Sequence, residues 1–220
     1  MQKYVAVALL SVLSTPVLAL EVTANAGWMS EYIYRGTHQD DSSALGGIDL
    51  KTDAGFYLGN WDADVGQGLE TDLYGGYNGT LGDFNYGIGA TGYFYTDNFD
   101  DTYYEANFSA GYKILSVAVA VGKYKNFDGP TLDYTFLAPR LDYKGFYALA
   151  GMFYQDFGGH YYEAGYAGKF DPIGVDYKFS VVNNSHNLGT DQGDRIRPVG
   201  DAADTSITLT ISKSFGVYKN

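Results

Sequence analysis

The sequence contains no cysteine, few basic residues and, after residue 19, no long apolar run. Without cysteine, no disulfide holds the chain together, so the small disulfide-stapled scaffolds are excluded. Lys and Arg number 14 against 26 Asp and Glu, and this formal net charge of -12 argues against a nucleic-acid partner. Because no later segment is long and apolar enough for a transmembrane helix, any membrane insertion must use strands.

The N-terminus has the pattern of a secretory signal peptide. Lys3 provides the positive start, an uncharged apolar stretch follows, and the small residues Val17 and Ala19 stand at positions -3 and -1 of a cleavage site. Pro16 and Glu21 interrupt the run before it could serve as a membrane anchor. We therefore expect residues 1–19 to be a signal peptide and residues 20–220 to form one domain.

Aromatic residues and glycine are abundant, with 22 Tyr, 13 Phe and 29 Gly. Aromatic side chains fit the pleated surface of a sheet, whereas glycine supplies turns. This aromatic content also excludes an intrinsically disordered chain. The composition therefore favours an all-β protein.

Hydrophobicity alternates with a period of two along almost the whole chain, which is typical of half-buried strands. The last segment is the clearest, because Ile207, Leu209 and Ile211 alternate with Thr208 and Thr210 up to a predicted end at Phe215. The pattern predicts about 12 strands, an even number, as bacterial barrels require. The apolar set of the first strand includes Trp28, Tyr32 and Tyr34, and that of the third strand is Tyr57, Gly59, Trp61 and Ala63.

The lengths of the predicted connections alternate as well. Odd connections, including Gly36 to Ser43 and Asn184 to Asp204, are mostly longer than even ones such as Lys144-Gly145. Among the even connections, Asn78-Gly79 is a hairpin turn signal. Long loops on one side and short turns on the other are expected for an outer-membrane barrel.

These features predict a closed antiparallel up-and-down transmembrane β-barrel. A soluble β-sandwich or lipocalin-like barrel has the same period and is the alternative, with its apolar face inside. The membrane arrangement is favoured because the apolar face is rich in aromatic residues near strand ends and the polar face carries Gly, Ser, Thr and Asn. Two details stay open: the direction of Arg140, which follows Pro139, and the facing of Phe146 to Gln155.

Several sequence blocks resemble the TorF family of porins. The most specific runs from Trp28 to Gly36 (WMSEYIYRG), and others are Gly55 to Trp61 (GFYLGNW) and Glu70 to Tyr77 (ETDLYGGY). The resemblance spans most of the chain after the signal peptide, and it implies an exported outer-membrane barrel with a channel role and no catalytic residues. Residues 216–220 follow Phe215, the aromatic residue at the predicted end of the last strand, whereas membrane barrels commonly end on such a residue.

Catalytic and metal-binding patterns are weak. His38, His160 and His186 fall in predicted outer loops with Ser42 and Ser185 nearby, but nothing joins a nucleophile, a base and an orienting group. Acidic loop clusters could hold Ca²⁺, although none has EF-hand spacing, and solvated charge is the simpler interpretation. We therefore expect no enzyme activity, no cofactor and no metal site.

Charged residues on the polar face are the candidates for function, because their parity directs them into the lumen. These candidate lumen residues are Glu31, Arg35, Asp49, Lys51, Glu70, Asp72, Glu105, Glu163, Lys169, Asp176 and Lys178. In the longest loop, Arg195 and Arg197 are candidates for a constriction.

The predicted function is a bacterial outer-membrane porin-like channel for small polar solutes. The excess of acids among the lumen residues favours cations or neutral solutes over anions. Expected partners are outer-membrane lipid, lipopolysaccharide and the barrel-assembly machinery. The alternative is a non-conducting structural or adhesion barrel that acts through its outer loops, and the two differ in whether the lumen charges line an open path or pair across the bore.

Overall fold

The computed structural model describes residues 19–185, 188–190 and 205–220, and this part of the chain is built of strands. No helix in these ranges is long and apolar enough to cross a membrane. The strands are β1 (Leu20–Tyr34), β2 (Thr37–Thr52), β3 (Phe56–Asp64), β4 (Leu69–Leu81), β5 (Phe84–Tyr95), β6 (Tyr103–Tyr112), β7 (Leu115–Tyr124), β8 (Leu132–Tyr143), β9 (Phe146–Gln155), β10 (Phe157–Gly158), β11 (His160–Phe170), β12 (Val175–Asn184), β13 (Gly189–Thr190) and β14 (Thr205–Lys219).

Twelve of these strands form one closed antiparallel barrel, and β10 pairs with β13 in a separate two-stranded sheet. Each barrel strand pairs with its sequence neighbours, and β14 closes the ring by pairing with β1 from Glu21↔Lys219 to Met29↔Thr210. Closure leaves no unpaired sheet edge, which is the condition for a strand-built protein to cross a bilayer. The predicted fold class is confirmed.

The two ends of the barrel differ. At one end, which we call the turn end, connections of two to four residues join the strands, and both termini of the barrel meet there, since Asn220 N donates to Leu20 O at 3.3 Å. At the opposite end, which we call the loop end, lie the connections 35–36, 65–68, 96–102, 125–131 and 156–159. The predicted asymmetry of loop lengths is therefore present in the fold.

The barrel exposes apolar side chains on its outside and buries polar ones inside. Large exposed residues include Leu58, Leu73, Ile88 and Phe146, each more than half exposed. The buried polar or charged residues are Ser43, Glu70, Asp72, Glu105, Ser180 and Thr208. A soluble barrel has the reverse arrangement, because its apolar side chains must leave water.

Three predicted boundaries are wrong. Asn78 and Gly79 are not a turn; they lie in β4 and pair with Gly87 and Tyr86, and the turn follows at Gly82, whose φ is +60°. The last strand does not end at Phe215 but continues to Lys219, because β1 offers partners as far as Glu21. The predicted loop from Gly36 to Ser43 is mostly strand, since β2 begins at Thr37.

The facing predicted for β3 is also wrong. Trp61 and Ala63 pair directly with Asp72 and Glu70, so they lie on the inner side of the barrel, whereas Leu58 is 61% exposed on the outside. Directly opposed residues on neighbouring strands share a face. The alternation within β3 indicates the wrong face because the bore contains an apolar partner for Trp61, which is described below.

The two facings that the sequence left open are decided by the register. On β8, Arg140 shares the parity of the buried Tyr134 and Phe136 and therefore points inward. On β9, Tyr147 is buried and Phe146 is 63% exposed, so the odd positions face the bore. Pro139 pairs with Val117 of β7 and falls at a gap in the β8–β9 ladder, where its missing N–H removes no bond.

Candidate functional site

The end of β1 and the start of β2 leave the barrel wall and enter the bore. Pairing of β1 with β14 stops at Met29, and beyond it Ser30 Oγ accepts a hydrogen bond from Leu209 N at 2.8 Å. Ser42 has a positive φ of 63°, and the β1–β2 register shifts after Tyr32. A positive φ and a bulge both bend a hairpin. We call residues 30–42 the inner hairpin.

The tip of the inner hairpin is bonded to β12, which lies two strands from β1 around the ring. Asn184 Nδ2 on β12 donates a hydrogen bond to Gly36 O at 3.1 Å. Gly36 has a φ of +83°, and a Cβ at this position would lie 2.7 Å from atoms of Tyr161 and Leu188. Glycine is therefore required here both by the backbone conformation and by space.

Arg35, next to this glycine, forms an ion pair with Glu105 of β6. Two hydrogen bonds join them, Nη1 to Oε1 at 2.5 Å and Nη2 to Oε2 at 3.0 Å. The guanidinium lies 4.3 Å from the ring centroid of Phe136 and 5.0 Å from that of Tyr34. The Glu105 side chain is fully buried and that of Arg35 is 15% exposed. A bidentate pair with this burial fixes the hairpin tip in position.

Glu105 is held by the barrel wall as well. Tyr134 Oη donates to Oε1 at 2.7 Å, and Tyr93 Oη and Asn107 Nδ2 donate to Oε2 at 2.9 and 3.0 Å. Tyr93 Oη in turn accepts a hydrogen bond from Tyr34 of the hairpin at 2.7 Å. The carboxylate is thus the centre of a network that connects the hairpin to β5, β6 and β8.

Arg35 also divides the space within the bore. On the loop-end side lies a cavity of about 370 Å³, the loop-end cavity, lined by Arg35 together with aromatic and polar residues of the inner hairpin, β5, β6, β8 and the neighbouring loops. On the other side lies a cavity of about 150 Å³, the inner cavity, lined by Arg35, Phe136, Tyr57 and Asn107 among others. Arg35 lines both, so its side chain is part of the partition between them.

Two buried carboxyl groups lie side by side on β4. Tyr32 Oη of the inner hairpin donates to Glu70 Oε1 at 3.0 Å, and Tyr32 packs edge to face on Trp61 with centroids 5.5 Å apart. Within the described residues, Glu70 Oε2 and Asp72 Oδ1 are buried without a hydrogen-bonding partner. These unsatisfied acceptors make the wall beside the hairpin polar.

A second charged group lies on the wall formed by β9, β11 and β12. Glu163 accepts from Tyr147 Oη at 2.6 Å and from Lys178 Nζ at 3.1 Å, and Tyr147 Oη also bonds to Ser180 Oγ at 2.7 Å. The guanidinium of Arg140 lies 4.2 Å from the Tyr147 ring centroid. These contacts join neighbouring strands and leave the inner hairpin untouched.

The structure brings some of the candidate lumen residues together and separates others. Arg35 meets Glu105, Lys178 meets Glu163, and Lys169 lies 3.5 Å from Asp176 near a turn, with both side chains about half exposed. The others occupy separate places along the strands: Asp49 accepts from Tyr74 Oη, Glu70 and Asp72 are buried on β4, Glu31 is half-buried and Lys51 is exposed. Arg195, Arg197 and His186 lie outside the described residues.

The sequence prediction missed the aromatic residues of the bore. The sequence pattern places Tyr32 and Tyr34 on the outward apolar face, but Tyr32 is 4% exposed, and their hydroxyls bond to Glu70 of β4 and Tyr93 of β5 inside the bore. This assignment is wrong because the end of β1 leaves the wall, so that side chains of both parities, such as Tyr32 and Ile33, pack inside the bore. The signal that could have shown it is Arg35-Gly36, a charged residue and a glycine that directly follow the apolar run from Tyr32 to Tyr34.

The loop histidines and serines form no acyl-transfer site in the described ranges. His38 Nε2 bonds to Asp41 Oδ1 at 2.9 Å, and Ser42 Oγ accepts from the indole of Trp28 at 3.0 Å. Ser43 Oγ donates to Asp64 O at 2.7 Å. No group of three or more His, Asp or Glu side chains in this part of the chain is placed to hold a metal ion.

Comparison with solved structures shows that the fold is shared with porins. A structure described as KdgM porin has a TM-score of 0.56 over 88% of this chain and 99% of its own, with 13% identity. A structure described as NanC porin has a TM-score of 0.53 over 87% of this chain and 98% of its own, with 9% identity. At these identities the likeness concerns the fold.

Comparison of sequences gives one family. No curated protein matches the chain significantly. The family described as bacterial protein of unknown function (Gcw_chp) matches residues 14–215. The match does not carry the TorF name, so the resemblance to that family stays a prediction. Because the matched region spans most of the sequence, the chain belongs to the Gcw_chp family of bacterial proteins.

Proposed function

We propose that the protein is a bacterial outer-membrane channel of the porin type, which passes small polar solutes by passive diffusion. The observation that carries the proposal is the inverted barrel: twelve closed strands with apolar side chains outside and Glu70, Asp72 and Glu105 buried inside. Only a lipid environment makes this arrangement favourable, since the outer residues would otherwise face water. Residues 1–19 direct export and residues 20–220 form the barrel.

The turn end faces the periplasm in this proposal, and the loop end faces the outside. The support is that both ends of the barrel chain meet at the turn end and that connections there are short, as in bacterial barrels generally. Lipid and lipopolysaccharide then contact the outer face, and the barrel-assembly machinery inserts the chain. The inner hairpin enters the bore from outside.

The solutes preferred are cations or neutral molecules. Buried acids, Glu70, Asp72, Glu105 and the largely buried Glu163, outnumber the bases that reach them, Arg35 and Lys178. An excess of carboxyl groups along a narrow path favours cations over anions. The inner hairpin limits passage to small molecules.

One observation favours the second candidate, a non-conducting structural or adhesion barrel. The Arg35–Glu105 pair joins the hairpin to the wall across the bore, and the hairpin tip bonds to β12 on the other side. A permanently docked hairpin would act as a plug. The two candidates therefore differ in whether the docked hairpin leaves, or opens, a path for ions.

Single-channel recording on the refolded protein in planar bilayers tests the proposal. We expect discrete conductance steps, and a reversal potential under a salt gradient that indicates cation preference. Glu70→Gln and Asp72→Asn should each reduce this preference, whereas Asp133→Asn, at an exposed ion pair with Lys123, should leave it unchanged. A correctly folded barrel without conductance would contradict the channel and favour the structural role.

A further inference from the structure

We propose that the loop-end cavity is a binding site for a small organic cation, an amine or a quaternary ammonium ion. The inference rests on the proposed channel function, which places the cavity on the solute path. It deepens that function by naming the class of solute. The volume of the loop-end cavity, about 370 Å³, falls within the roughly 300–1,000 Å³ that small-molecule sites occupy.

Aromatic rings supply most of the apolar lining. The rings that line the cavity are Tyr34, Tyr93, Tyr95, Phe99, Tyr103, Tyr134, Phe153 and Phe157. The Tyr103 ring stands at 85° to Tyr93 and at 72° to Tyr95, so the walls turn around the space instead of forming one flat surface. Rings set at such angles surround a cation with negative ring faces, which is how aromatic cages hold quaternary ammonium groups.

Charge in the lining is also complementary to a cation. Three carboxyl groups, Asp40, Asp100 and Glu105, line the cavity together with one guanidinium, that of Arg35. Arg35 is neutralised by its two hydrogen bonds to Glu105, and His38, which also lines the cavity, is bonded to Asp41. The remaining field therefore comes from Asp40 and Asp100. An anion would meet this field without a free positive partner among the lining residues described.

Asp100 is held rigidly beside the rings. Its Oδ1 accepts from Tyr124 Oη at 2.7 Å and its Oδ2 accepts from Tyr103 Oη at 2.9 Å. Tyr103 stacks on Tyr124 with centroids 4.3 Å apart. One carboxyl group therefore fixes a ring of the cavity wall and contributes charge at the same place, and this combination is suited to a cation with an apolar surface.

The bore already binds cations of its own in this way. The Arg35 guanidinium lies between the rings of Tyr34 and Phe136, and Tyr147 has Arg140 at 4.2 Å and Lys178 at 5.8 Å from its centroid. Three cations of the bore, Arg35, Arg140 and Lys178, thus each have both an aromatic ring and a bonded carboxylate.

Calorimetric titration of the full-length folded barrel in detergent micelles tests the inference without requiring conduction. The two probes are choline and 3,3-dimethylbutan-1-ol, which have the same shape and differ in the charge of the trimethyl group. We expect choline to bind about tenfold more tightly than the neutral probe. Equal affinities for the two probes would overturn the inference. So would the absence of binding by a correctly folded barrel, recognised by an electrophoretic mobility that changes on heating.

Three variants locate the site. Phe99→Leu keeps the apolar volume and removes a ring, and Asp40→Asn removes a charge; each should weaken choline binding about three- to fivefold. Tyr104→Leu is the matched control, because Tyr104 is a neighbour of Tyr103 that points outward and is 49% exposed. Choline binding that is unchanged in both cavity variants, or lost equally in the control, would contradict the assignment.

The readouts separate this inference from the proposed function. Choline binding by a barrel that is silent in bilayers would support the cation site and contradict the channel. Conductance without any preference of the cavity for choline over the neutral probe would support the channel and contradict the cation site.

Discussion

Replacing Arg35 by alanine removes the side chain that partitions the bore, and we expect the barrel to conduct more after this change. The substitution deletes both hydrogen bonds to Glu105 and the contacts with the rings of Tyr34 and Phe136. The loop-end cavity and the inner cavity, both lined by Arg35, then join. The hairpin tip keeps its bond from Asn184 to Gly36 O.

The size of the effect can be estimated from the environment of Glu105. Removing one partner of a buried ion pair costs about 3–5 kcal/mol. Glu105 keeps three donors, from Tyr93, Tyr134 and Asn107, so the lower end of that range applies, about 3 kcal/mol. If this cost falls on docking of the inner hairpin, its docked-to-undocked ratio drops roughly 150-fold.

Planar-bilayer recording measures the consequence as a larger conductance or a larger open fraction than in the wild type. Lys178→Ala is the matched control, since it breaks the ion pair with Glu163 on the wall and leaves the inner hairpin intact. The double variant Arg35→Ala/Glu105→Gln should have a higher free energy of unfolding in urea than Arg35→Ala alone, because the unpaired charge is gone. Identical conductance of folded Arg35→Ala and wild type would refute the idea that Arg35 closes the bore.

Two further predictions concern the loop end. Gly36→Ala should lower the free energy of unfolding in urea by about 1–3 kcal/mol more than Gly82→Ala does. Both glycines have a positive φ, but a Cβ at Gly36 meets Tyr161 and Leu188, whereas a Cβ at Gly82 meets nothing within 4 Å. Burial raises the pKa of the Asp100 carboxyl above its ordinary value, so its contribution to stability is present at low pH and is lost as the pH rises through the raised pKa. Asp100→Asn should therefore flatten the decrease in unfolding free energy as the pH rises above the ordinary aspartate pKa of about 4. Equal slopes for the two proteins would contradict this.

The barrel itself could be predicted from the sequence, because a strand with one face in lipid and one in the bore must alternate. Ile207, Leu209 and Ile211 on β14 illustrate this, and the register of β14 with β12 keeps them on the outside. The count of twelve strands and the order of long and short connections depend on the same local information. Turn positions were less well determined, since Asn78-Gly79 is a hairpin signal that the longer pairing of β4 with β5 overrides.

The contents of the bore could not be derived in this way. Alternation assigns each side chain to one of two faces, but the end of β1 leaves the wall, so both of its faces become interior and Tyr32 packs on Trp61. The partner of Arg35 is 70 residues away in the sequence, on a strand that only barrel closure brings opposite. The sequence by itself determined an apolar exterior, a polar interior and a closed sheet, whereas the tertiary structure alone decided that a hairpin crosses the bore and which charges it meets there, because those contacts depend on distances across the ring that no local pattern encodes.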